Sequence, residues 1–166
     1  MNLKELKQQM PEIFENVRED VRRILGRHRA GLSLGLMEMG IFPRGFIGGM
    51  HFSPGTDIVM NTSPLEKLLE TQPDEIIWAY TYHILLHEYI HSLGALDEWQ
   101  CKTITLNISE EVFKNKNHPA LILAKNGIGA FLPNWQLKYR PPGPKPKGKS
   151  IEYVVGFDRE SHSYYS

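Results

Sequence analysis

Residues 87–91 read His-Glu-Tyr-Ile-His. On a helix, four residues is just over one turn, so His87 and His91 project from one face about a turn apart. That spacing lets two imidazoles share one zinc ion, and Glu88, beside the first ligand, reaches a zinc-bound water. Zinc lowers the pKa of such a water toward ~7. Glu88 can take the proton as the hydroxide attacks a polarised carbonyl, then hand it to the leaving amine.

A catalytic zinc takes three protein ligands and keeps one position open. Asp97 and Glu98 lie six and seven residues after His91, with Gly94 between. The run from His87 to Asp97 is His-Glu-x-x-His-x-x-Gly-x-x-Asp, which resembles the metzincin metallopeptidase signature with aspartate in place of the third histidine. Members of that family carry a methionine turn beneath the metal, and no methionine follows Met60 here. A glutamate on the next helix is instead the gluzincin arrangement, for which Glu98 is the near candidate. Glu110 and Glu111 have a spacing that resembles the thermolysin-like pattern. Leu34-Gly35-Leu36, Gly48-Gly49, Asp57–Asn61, Leu85–Gly94 and Asp97-Glu98 together resemble the small archaeal-type minimal gluzincins, over about 65 residues.

That resemblance implies an α+β, zincin-like fold: a small mixed sheet, an active-site helix and a following ligand-bearing helix. It implies zinc as cofactor, peptide or protein as substrate, and latency through the protein's own C-terminal segment. Zincins lay peptide substrate against an edge strand above the active-site helix, a role the resemblance gives to Ile58, Val59, Met60 and Asn61. Glu98 is preferred over Asp97 as third ligand, with Asp97 as a helix cap, and both stay open.

These groups need elements to position them. Residues 3–29 have helical periodicity, with Pro11 suited to the first turn of a new segment. From 32 to 61 the pattern shortens to two or three strands, the last two forming a hairpin around the turn Ser53-Pro54-Gly55-Thr56. Ser63-Pro64-Leu65-Glu66 opens a short helix capped by Ser63. Pro73 to Leu93 has no helix breaker, and Gly94 is a stop. Asp97 caps a helix over 98–108, with further helix over 109–126. Residues 138–149 are rich in proline, glycine and lysine, an arm or linker, and Ile151–Phe157 reads as a late strand. The expected organisation is an N-terminal helical segment (1–30), a catalytic domain (31–135) and an arm with C-terminal segment (136–166).

The 166 residues carry 19 basic and 19 acidic side chains, which argues against a globally basic nucleic-acid binder. One cysteine, Cys101, excludes a disulfide framework and a four-thiolate zinc site within the chain. No stretch is apolar enough to span a membrane. The charged N-terminus has no secretory pattern, so a cytoplasmic setting is expected. Arg18, Arg22, Arg23, Arg27 and Arg29, with His28 and the arm lysines, make either a basic stripe or, preferably, a solvated face. His83 extends the face of His87, as a support behind the ligands or a rim group; His51 and His118 are each candidates for a stray ligand; Cys101 is either a latency switch that ligates zinc or, preferably, core. Tyr139, Tyr153, Tyr164 and Tyr165 are oxyanion donors by type. Two rival functions remain. Bacterial rRNA-maturation endoribonucleases are similar in ligand spacing but lack a glutamate where Glu88 stands. A non-catalytic zinc-binding module needs no Glu88 at all.

Overall fold

The computed structural model describes residues 1–52, 55–132 and 151–158. Helix α3 (Asp74–Ser92) is its centre. From Ile76 to Ser92 only Trp78, His87 and His91 escape full burial. A helix apolar nearly all round is stable only when other elements enclose it. Helix α1 (Leu3–Leu25) packs along it through the stripe Leu6, Met10, Phe14, Val17 and Val21. The Phe14 ring meets Tyr89 edge-on, centroids 5.4 Å apart. Helices α2 (Thr62–Thr71), α4 (Glu98–Val112) and α5 (Pro119–Asn126) enclose the other sides.

Strands β1 (Ser33–Met37), β2 (Gly49–His51), β3 (Asp57–Asn61) and β4 (Glu152–Tyr153) form one mixed sheet in the order β2-β3-β1-β4. β3 runs parallel to β1, while β2 and β4 pair antiparallel on the two edges. The protein is therefore α+β, with five helices and a four-stranded mixed sheet among the described residues. None of these helices is long and apolar enough to cross a membrane.

Several expectations change at this level. Pro11 does not begin a new segment; α1 runs through it, with the ring buried in the core. α1 starts at Asn2, whose side chain accepts from Glu5 N–H at 2.8 Å, and stops at Gly26, left-handed at φ 66°. Asn61, not Ser63, caps α2. The helix expected over 109–126 is broken: α4 ends at Val112, and α5 begins after His118, which accepts from Ala120 N–H. The hairpin of the last two early strands is present as β2–β3.

α1, the sheet and residues 151–158 share one core. Phe157 stacks on Phe14 at 4.2 Å. Asp158 is buried against Arg18, 3.2 Å from Nη1, and accepts from Leu32 N–H at 3.0 Å. The proline-rich arm (138–149) and Tyr139, Tyr164 and Tyr165 lie outside the described residues.

A buried ion pair that loses one partner leaves a desolvated charge behind. We expect Asp158→Ala to lower unfolding free energy by about 3 kcal/mol in urea titrations. Glu15, the half-exposed second partner of Arg18, should cost under about 1 kcal/mol when changed to alanine.

Candidate metal centre

α3 presents His87 and His91 one turn apart, rings 4.8 Å between centroids. The chain then reverses within five residues. Gly94 takes a left-handed φ of 111° that other residues adopt at a cost. Asp97 caps α4, accepting from Trp99 N–H at 3.3 Å, so its carboxylate serves the helix start. Glu98, in the first turn of α4, points back at both imidazoles. Its Oε1 lies 2.6 Å from His91 Nε2 and its Oε2 lies 3.3 Å from His87 Nε2.

The donor set suits a metal ion. His91 Nδ1 lies 2.7 Å from the Ala95 carbonyl, which takes the one proton of a neutral ring. A second oxygen 2.6 Å from Nε2 is then satisfied by an imidazolium or by a cation held between ring and carboxylate. Burial holds His87 below the usual histidine range; His91 works in the same direction and Glu98 opposes them. Neutral imidazole is the ligating form. Burial would raise Glu98, but the two histidines outweigh it and keep the carboxylate ionised.

Cys101 stands at the same centre. His87, His91 and Cys101 form a group that could hold a metal ion, their ligand atoms within 4.8 Å of one another. The thiol lies behind His87, donating to its carbonyl at 3.2 Å and standing 3.6 Å from its Nδ1. Burial, with the charges of Glu88 and Glu98, pushes the thiol up to about 12. Only the thiolate ligates well.

Glu88 is 4% exposed and makes no hydrogen bond among the described residues. Burial, then the charge of Glu98, pushes its carboxyl up to about 8. It lines the same cleft as the histidines, a cavity of about 1110 Å³. Strand β2 forms one wall. Its Gly49 packs on α3 beside Glu88, and a Cβ there would fall 2.9 Å from the Val59 carbonyl oxygen. The opposite wall is α5 and the residues after it, Leu123 to Ile128.

The strand expected to receive substrate is not the edge. Ile58, Val59 and Met60 are buried in β3, paired on both sides. Asn61 is buried too: its carbonyl accepts from Met39 and Ser63 N–H, and its amide donates to Gly40 and Ile47. The edge at the cleft is β2. The unbroken apolar run Ile58-Val59-Met60 carried that signal, since interior strands buried on both faces do not alternate.

Other expected groups fall elsewhere. Glu110, Glu111, His118, Tyr153 and residues 151–158 do not line the cleft; Tyr153 bonds Asp57 at 3.2 Å. The described part of the C-terminal segment thus docks at the β1 edge, across the sheet from β2. The arginines form no free basic stripe. Arg18, Arg22 and Arg23 pair with acids of α1. Arg27 donates to the Leu93 carbonyl, and Arg29 to Ser92 O at 2.7 Å, closing the C-terminus of α3. His51, His83, Lys102 and Thr105 do line the cleft. Spacing alone pointed to His83 only, because the others depend on how β2 and α4 pack.

His83 supplies a pH test. Burial, with His87 adding to it, lowers its pKa to about 3. An unfolded histidine titrates near about 6.5, so between these values only the unfolded chain binds the proton. This contribution is complete above the unfolded value and declines by about 1.4 kcal/mol per pH unit below it. In urea unfolding from pH 7 to pH 5, wild type should lose about 2 kcal/mol more than His83→Leu.

No family model matches the chain, and no curated protein or solved structure is significantly similar to it.

Proposed function

We propose that this protein is a zinc-dependent peptidase of zincin-like architecture. One observation carries the reading: His87 Nε2 and His91 Nε2 converge on the Glu98 carboxylate in a cleft that Glu88, the adjacent buried acid, also lines. His87, His91 and Glu98 would hold the ion, which takes three protein ligands in a catalytic site. Bound zinc supplies Lewis-acid polarisation and acidifies water. Cys101, whose thiol donates to the His87 carbonyl, braces that turn of α3 from behind.

Glu88 does the proton work. A carboxylate raised toward neutrality matches a base that must also return its proton. It accepts a proton at Oε from the attacking water and delivers it to the departing amine. The low-dielectric surroundings that raise it also keep bulk water from competing. Peptide substrate lies along β2, the sheet edge at the cleft, where main-chain pairing positions the bond to be cut with little demand on sequence.

Two measurements check this reading. Glu88→Gln should retain one zinc per chain by elemental analysis while peptide hydrolysis falls about 10²- to 10⁴-fold. Retained hydrolysis would contradict the role. In cobalt-substituted protein, a Glu98 ligand predicts no thiolate-to-cobalt charge-transfer band, and an unchanged spectrum in Cys101→Ser. A band lost in Cys101→Ser would make Cys101 the third ligand.

A further inference from the structure

Glu98, Lys102 and Thr105 recur at helical spacing, and all three line the cleft. They form the face that α4 turns toward the metal centre. Lys102 therefore stands four residues, about 6 Å, along that face from Glu98. Its charge reaches His87 on the facing helix. α5 packs on α4 and adds Lys125 from its last turn. Both lysines are exposed, and neither has a carboxylate within ion-pair distance among the described residues.

The other charges of the cleft are committed. Its carboxylates among the described residues are Glu88 and Glu98. Glu98 is turned onto the two imidazoles, 2.6 Å from His91 and 3.3 Å from His87. Glu88 is buried beside Gly49 of β2. β2, the wall across from α5, brings Gly49, Met50 and His51, with no acid among them. An incoming carboxylate thus meets two ammonium groups without acid partners, and no open acid repels it. An incoming ammonium meets the reverse. Cations at a cleft mouth also raise the local concentration of anionic ligands.

We infer that Lys102, with Lys125, receives a carboxylate of the substrate close to the bond to be cut. The inference rests on the peptidase reading and adds a substrate preference to it. An extended peptide advances about 3.3–3.6 Å per residue, so the step from Glu98 to Lys102 places that carboxylate within about two residues of the bond. An Asp or Glu side chain and the free end of a chain offer the same group.

The test uses short peptides that carry a zinc-binding hydroxamate at one end or the other, so that the chain leaves the metal in either direction. The second residue is glutamate, glutamine or lysine, with the remaining end blocked. A further ligand, with the hydroxamate at its N-terminal end, keeps glutamine and ends in a free carboxylate. Each is titrated by calorimetry into the zinc-loaded full chain, and hydrolysis of casein by the same protein is followed in parallel. In one direction a carboxylate ligand should bind about fivefold tighter than its neutral glutamine counterpart at low salt, an advantage falling below about twofold at about 0.5 M salt. The tighter of the two carboxylate ligands names the source. Lys102→Glu, a change at an exposed position, should reverse the order and favour lysine over glutamate. Equal binding of all ligands, or an order unchanged in Lys102→Glu, overturns the carboxylate site, and casein hydrolysis then leaves the peptidase reading standing. The expected order without hydrolysis keeps the site and overturns the peptidase reading. If no ligand binds protein that holds zinc and casein stays intact, both fall.

Discussion

Helix α3 is enclosed by other elements along almost its whole length, and its openings after the first turn are Trp78, His87 and His91. That enclosure sets the chemistry. Burial keeps His87 neutral and pushes Glu88 toward neutral pH. The same side chains on a solvated helix would titrate as ordinary histidine and glutamate. The apolar core therefore fixes where the functional groups stand and also tunes what they can do.

The second constraint is the short return from α3 to α4. Gly94 turns the chain, Ala95 receives His91 Nδ1, and Asp97 starts the next helix so that Glu98 faces back. Arg27 and Arg29, from the connection after α1, bind the last carbonyls of α3 and brace this corner. At the far edge of the sheet, β4 and the Arg18–Asp158 pair tie down the other end. The cleft opens between, bounded by the glycine-lined β2 and by α5. Rigid elements carry His87, His91 and Glu98, as a site of fixed geometry requires.

The helices and the His-Glu-x-x-His run were legible because both depend on local spacing. Pro73 to Leu93 read as one helix, and Asp74–Ser92 is one. Asp97 read as a cap, and it caps α4. Strand order was not legible, because which strand lies at an edge is decided by pairing between distant segments. β3 was therefore expected at the edge and lies inside. Asn61 shows the same limit: three of its four hydrogen bonds reach Met39, Gly40 and Ile47, which no local pattern ties to it. The arginines spaced along α1 suggested a surface stripe, yet Arg18 found Asp158 140 residues away. The cleft wall from α5 depended on a helix break at residues 113–118 that propensity alone did not mark.

The most direct test of the proposed centre is anomalous diffraction at the zinc edge from crystals of the zinc-loaded protein. A single peak about 2.0–2.2 Å from His87 Nε2, His91 Nε2 and a Glu98 oxygen, with Glu88 beside it but not bonded, is the expected result. A peak bonded to Cys101 Sγ, or none at the paired histidines, would contradict it.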